Sequence, residues 1–137
     1  MPERPPFSPT ITLLTVARVV DAAYAEALRP LGLTTRKYGL LGHVRGTPGI
    51  SFSELARRSR ITVQSAHTAV RGFVAGGLVD DGTAQPGAAS TLRVTAAGEE
   101  LLGRAAEVVA RLDAEFAARH PELTAGLRAE LARMTFS

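Results

Sequence analysis

Gln64, Ser65, His67, Thr68 and Arg71 fall within eight consecutive positions, and each can donate a hydrogen bond. Their spacing is that of one helix face, recurring every three or four residues. Between them Ile61, Val63, Ala66, Val70 and Phe73 supply an apolar stripe on the opposite face. Such a helix buries one side and offers a row of donors on the other. Those donors suit base edges: a Gln amide can read adenine, an Arg guanidinium can make two bonds to guanine, and hydroxyls can hold phosphate or base edges. Thr62 stands where the helix would be capped, and the amides of its first turn favour an anion such as phosphate.

The segment just before this helix is basic. Ser53-Glu54-Leu55-Ala56 reads as a short helix, Glu54 to Ser59, with Ser53 as its cap. Arg57, Arg58 and Arg60 follow close to the donor-bearing helix, where phosphate contact is the expected role. Residues 29–72 as a whole carry eight basic side chains against Glu54 alone, a net +7 in a chain whose total is +3. This asymmetry fits an anionic partner for the middle of the molecule, or else a solvated basic face. His67 lies among the outward positions and is expected at base or phosphate rather than in the core.

These groups must be positioned by the elements around them. An apolar repeat through Leu13, Val16, Val20, Ala23 and Ala27 predicts a first helix over 11–28, stopped by Arg29-Pro30 with Gly32 beyond. Thr34 or Thr35 can cap a second helix to about Arg45, ended by Gly46-Thr47-Pro48-Gly49. The donor-bearing helix runs from Val63 to about Ala75 and closes at Gly76-Gly77. Leu78-Val79 and Leu92-Arg93-Val94 alternate as short strands around a Gly/Ala/Pro/Ser-rich loop, Asp80 to Thr91. Thr95 can cap a long helix to about Arg119, with Leu102, Ala105, Val109, Leu112 and Phe116 in a seam of core or subunit contacts. Pro121 opens a last helix striped by Leu123, Leu127, Leu131 and Met134.

Helix, helix, short helix, tight turn, longer helix and hairpin is the winged helix-turn-helix order. The fold class is therefore mainly α with a small β-hairpin wing, flanked by N- and C-terminal dimerisation helices. The chain divides into an N-terminus over 1–10, a dimerisation helix over 11–33, a DNA-binding lobe over 34–95, and the long and C-terminal helices over 96–137. "FSELARRSRITVQSAHTAVRGFVAGGLV", "LRVTAAGEELL" and "LTTRKYGLLGHV" resemble the short helix, recognition helix and wing exit, the return strand with its following helix, and the second helix of the MarR family. The likeness covers roughly residues 11 to 134.

That resemblance implies a homodimeric regulator of transcription, a repressor on pseudo-palindromic double-stranded DNA. It also implies release by a small aromatic or anionic effector, held between the dimer helices and the DNA-binding lobe. Arg18, Tyr24, Tyr38 and His43 are the polar groups available to that pocket, although His43, next to Val44, also suits a capping or partly buried position. The DNA-contacting set is Ser53, Arg57, Arg58, Arg60, Thr62, Gln64, Ser65, His67, Thr68, Arg71 and Arg93. Two departures stand out. The family's Asp-x-Arg element at the wing tip has no counterpart in Asp80 to Thr91, which holds no basic residue, so Arg93 on the return strand is the substitute. The arginine usual in the middle of the recognition helix is Thr68.

Other classes are weakly supported. With no cysteine there is no disulfide, thiolate metal site or thiol switch. His43, His67 and His120 lack the i, i+4 spacing of a helical metal pair, and no cofactor is expected. No phosphate loop or nucleophile elbow is present, and Asp80-Asp81 and Glu99-Glu100 are the only clustered carboxylates, so an enzyme is not expected. Neither an apolar run of membrane length nor a secretory leader is readable, and the expected location is the cytoplasm. The competing reading is a winged-helix interaction or dimerisation module that has lost DNA binding.

Overall fold

The computed structural model describes residues 3–82 and 91–136. The first five α-helices each begin at a side chain that accepts from one of their first free amides. Ser8 accepts from the Ile11 amide and opens α1, Pro9–Leu28. Thr34, rather than Thr35, accepts from Lys37 and opens α2, Thr35–Gly46. α3, Phe52–Ser59, is capped by Ser51. The expected cap at Ser53 is thus corrected: Ser51 and Glu54 have the Ser-x-x-Glu spacing that places an acid at the third helical position, and Ser53 is an exposed residue of the first turn. Thr62 caps α4, Val63–Ala75, and Thr95 caps α5, Ala96–Arg119. α6 spans Pro121–Phe136.

The connections follow from equally local causes. Pro30 ends α1 in a 3-10 turn, Arg29–Leu31, and Gly32 adopts the left-handed conformation that lets the chain reverse. α3 ends with Arg60 at φ 53°, a left-handed position seldom taken by a residue with a Cβ; the amide of Ile61 returns to the Ala56 carbonyl, which sharpens the turn into α4. The two strands, β1 Val79–Asp80 and β2 Arg93–Val94, pair antiparallel with Val79 opposite Val94 and Asp80 opposite Arg93. β1 starts one residue later than Leu78, whose carbonyl instead accepts from the Thr95 amide. Residues 83–90, and with them the expected non-basic wing tip around Gln85 to Ala88, lie outside the described residues.

One core joins these pieces. Leu28, Leu40, Leu41 and Leu55, Val44 and Leu92 are buried completely or almost so, with Ala66, Val70 and Phe73 of α4 and Leu101, Leu102 and Ala105 of α5 around them. The expected α5 seam therefore divides. Its first members pack inside the lobe, while Val109, Leu112 and Phe116 are half-buried where α5 runs out against α1 and α6. The apolar stripe of α4 is also shorter than expected, because Val63, at the first helical position, is 44% exposed. Among the described residues no helix is long and apolar enough to cross a membrane.

Two contacts fix α5. The Thr95 hydroxyl donates to the Gly77 carbonyl at 2.6 Å and accepts from the Gly98 amide at 3.1 Å, which brings the first turn of α5 onto the end of the Gly76-Gly77 bend. A Cβ at Gly98 would drive into the Leu78 carbonyl oxygen and lie 2.6 Å from Val94 Cγ1. Gly98 is thus required by packing, which accounts for Thr-x-x-Gly at this point of the sequence. Farther along, the Tyr24 hydroxyl of α1 donates to Asp113 Oδ1 of α5 at 2.7 Å.

Gly98→Ala is expected to destabilise the chain by about 1–3 kcal/mol, because backbone must move to admit the methyl; urea denaturation against the parent measures it, and an unchanged midpoint would show that the strand exit yields freely. Burial, reinforced by the hydrogen bond and charge of Asp113, pushes the Tyr24 phenol from 10.0 up to about 12. Across that window the folded chain holds a proton that the unfolded chain releases, so stability declines as pH rises through it. In Tyr24→Phe this part of the alkaline decline disappears, and tyrosinate absorbance, free of tryptophan, loses its late-titrating component.

Candidate nucleic-acid interface

α4 is held by its inner face. Ala66, Val70 and Phe73 are 0, 2 and 4% exposed, at spacings of four and three, so the helix cannot rotate without uncovering them. Gln64, Thr68 and Arg71 consequently form an exposed strip on the opposite side, and no acidic residue pairs with them among the described residues. The strip is partly ordered from within. The Thr68 hydroxyl donates to the Gln64 carbonyl at 3.0 Å, and Arg71 Nη2 reaches the Thr68 hydroxyl at 3.5 Å, which lays the guanidinium along the helix. Thr62 and Ser65 exchange a hydroxyl bond at 2.9 Å at the helix start, so their first task is the cap.

His67 has a different neighbour from the one its position implies. Its ring stacks on Phe52 of α3, with centroids 3.9 Å apart and planes at 18°, and it is half-buried. The stack packs α3 against α4 and leaves the imidazole partly open to solvent.

The arginines of α3 are unequal. Glu54 accepts from Arg57 Nε at 2.9 Å and Nη2 at 2.5 Å, and from Arg58 Nε at 2.9 Å. The two guanidinium groups, Arg57 first, hold the Glu54 carboxyl far below its ordinary value, at about 2. Arg58 also donates to the Thr47 hydroxyl at 2.9 Å, so it ties α3 to the loop after α2 and its side chain is only 35% exposed. Arg57, at 71%, projects into solvent while keeping its partner. Arg60 has no carboxylate partner among the described residues and sits at the turn itself. On the hairpin, Arg93 is exposed, lies opposite Asp80 and donates to the Leu92 carbonyl. Asp80 accepts from the Gly82 amide at 2.8 Å.

Arg36 and Lys37 are not singled out by spacing along the chain. With Thr34 they form one wall of a cleft of about 310 Å³ whose other wall is Gln64, Ser65 and Thr68 of α4. Their place in the +7 block is the available signal in the sequence; the approach of the first turn of α2 to α4 is visible only in the fold.

The four residues expected at an effector pocket separate. Tyr38 and His43 line a cleft of about 500 Å³ with Gly39, Gly42, Arg45 and Leu102, between α2 and α5. Tyr24 instead lines an apolar groove of about 600 Å³ formed by α1, α5 and α6 with Leu13, Val16, Phe116, Leu123 and Leu127, together with Phe7 just before α1. Arg18 is on the exposed surface of α1 and lines neither. In the α2–α5 cleft Arg45 pairs with Glu99 at 3.3 Å. No cluster of three or more candidate metal ligands occurs among the described residues.

Comparison with known proteins agrees with this arrangement. The family model for the MarR family matches residues 31–88. The HTH-type transcriptional repressor Rv2887 of Mycobacterium tuberculosis is 35% identical over 123 residues, which span 89% of this chain and 86% of the repressor. Among solved structures, Rv2887 in complex with DNA superposes with a TM-score of 0.75 at 28% identity, covering 96% of this chain and all of that one. Rv2887 in complex with salicylic acid gives a TM-score of 0.68 at 33% identity, with 95% of each chain covered. The elements, the lobe they build and the likeness along nearly the whole chain place this protein in the MarR family, as a winged helix-turn-helix member of that family of transcriptional regulators.

Proposed function

We propose that this chain is a homodimeric transcriptional repressor that inserts α4 into the major groove of a pseudo-palindromic operator and is released by a small aromatic anion. One observation carries the reading: the strip Gln64, Thr68, Arg71 is exposed, rich in donors and unmatched by any acid among the described residues, on a helix whose other face is fully anchored. Gln64 and Arg71 then read base edges. Ser65 and Thr68 reach base edges or phosphate beside them. Arg57 and Arg60, with the rim of His67, meet phosphate, and Ser53 and Thr62 offer hydroxyls at the two helix starts; Arg58 acts by holding α3 in place. Arg93 serves the wing. DNA binding by the related Rv2887 supports this reading.

The dimer is supported by apolar surface that a single copy leaves uncovered. Ile11, Leu13, Leu14 and Val19 on α1, and Leu127, Leu131 and Met134 on α6, are between 48% and 76% exposed, and Leu13 and Leu127 also line the apolar groove. Apolar side chains left exposed along two helices suit a contact between subunits. Residues 34–95 then form the DNA-binding lobe, with 11–33 and 96–137 pairing the subunits so that two α4 helices lie about one helical turn of DNA apart. For the effector, the α2–α5 cleft offers Tyr38, His43 and Arg45 to an aromatic carboxylate, and salicylic acid binding by Rv2887 supports that ligand class. Tyr24, and Arg18 from the surface of α1, border the subunit contact.

Gln64→Ala or Arg71→Ala is expected to cost about 1–3 kcal/mol on a true operator and little on unrelated DNA, measured by gel shift with fragments around its own gene. Arg60→Ala weakens binding to every duplex alike. Normal operator binding by both base-contact variants would remove α4 as the reader, and no binding of any duplex by the parent at low salt would favour an interaction module. Leu127→Lys is expected to turn the dimer into monomer at micromolar concentration in light scattering; a parent that is itself monomeric would overturn the half-site geometry.

A further inference from the structure

Of the eight basic residues between 29 and 72, four are already matched by carboxylates: Arg29 by Glu26, Arg45 by Glu99, and Arg57 and Arg58 by Glu54. Arg36, Lys37, Arg60 and Arg71 are not, among the described residues. The net +7 of the sequence is therefore concentrated, and its unmatched part surrounds α4. Arg71 is on the exposed strip, Arg60 is at the turn that leads into α4, and Arg36 and Lys37 face α4 across the cleft they share with Gln64, Ser65 and Thr68.

The two flanks of α4 are distinct. At 3.6 residues per turn, Ser65 and Ala69 project to one side of the Gln64–Thr68–Arg71 strip and His67 to the other. His67 meets α3 through Phe52, while Ser65 and Ala69 line the cleft against α2. A helix lying in a major groove about 12 Å wide has a sugar-phosphate backbone along each side. The α3 flank meets one of them with Arg57 and Arg60. The α2 flank presents Arg36 and Lys37, both exposed, from a cleft that no carboxylate lines.

We infer that Arg36 and Lys37 are a second phosphate clamp, gripping the backbone on the α2 side of the groove that α4 enters and so setting how deeply and at what angle the recognition helix is seated. The inference rests on the DNA-binding reading above. It assigns to α2 a direct part in DNA contact, beyond its packing role. Because the clamp grips phosphate, it adds affinity on every sequence; because it flanks the base-reading strip, it also limits the tilt of α4.

The test is the salt dependence of binding to two duplexes, one from the DNA upstream of its own gene and one of the same length with scrambled sequence, read by fluorescence anisotropy. In Arg36→Ala/Lys37→Ala, affinity is expected to fall by a similar factor on both, with the log–log salt slope shallower by about 0.9 for each phosphate that a subunit no longer neutralises. Arg36→Lys/Lys37→Arg, which keeps both charges, should retain the parent slope, and Arg29→Ala, which removes an arginine already matched by Glu26, should leave it unchanged. An unchanged slope in the double alanine variant, while Arg60→Ala flattens it, overturns the clamp and leaves the DNA-binding reading intact. A parent that binds neither duplex at low salt overturns both.

Discussion

The seating of α4 is the constraint on which the rest depends. Three side chains, Ala66, Val70 and Phe73, are fully withdrawn from water, and their spacing leaves one rotational setting in which all three are covered. Each large member contributes on the order of 2 kcal/mol by its burial. Rotation by a single position would exchange this for exposed hydrocarbon and buried amide and guanidinium groups, which carry a heavy desolvation cost. The direction of Gln64, Thr68 and Arg71 is thus a by-product of where the apolar side chains go. Around this anchor the Phe52–His67 stack holds α3, the left-handed Arg60 turns the chain, and Gly98 lets α5 and the hairpin close behind.

Charge is organised by pairing as much as by number. Glu54 absorbs two arginines beside the proposed interface, and with Thr47 it converts Arg58 from a free cation into a brace. Such exposed pairs contribute little to stability, since solvent screens them. Their effect is on geometry: they decide which cations remain available to an anion and hold Arg57 in a preset orientation, at the cost of sharing its charge. Among the described residues Arg36, Lys37, Arg60 and Arg71 share their charge with no carboxylate, whereas Arg57 stays exposed but shares its own with Glu54.

The two ends of the chain obey a different logic. α1 and α6 show apolar side chains to solvent in the isolated subunit, and α5 passes from buried to half-buried along its length. The division matches a molecule in which one half of α5 belongs to the lobe and the other to a subunit contact. The Tyr24–Asp113 bond lies near that transition and ties α1 to α5 beneath the groove. A ligand in the α2–α5 cleft would press on the same α5 that packs against α1 and α6, and on the same α2 whose first turn faces α4.

The sequence by itself determined the elements and which side of α4 carries Gln64, Thr68 and Arg71 outward, because both rest on local physics. Thr62 and Thr95 are caps by their own hydroxyls, Pro30 and Gly32 break a helix wherever they occur, and the three- and four-residue spacing through Ala66, Val70 and Phe73 separates the inside of α4 from Gln64 and Arg71. Even the correction at α3 is present in the chain, as Ser51-x-x-Glu54. Tertiary structure decided what depends on residues far apart in sequence. That Arg58 reaches Thr47, that His67 stacks on Phe52, that Arg45 meets Glu99, and that Arg36 and Lys37 share a cleft with Ser65 follow from how helices cross, and periodicity within one helix carries no information about its neighbour. Gly98 shows the boundary most clearly: its place after Thr95 is visible in the sequence, but the reason that no larger residue fits is the Leu78 carbonyl, which only the closed hairpin brings against it.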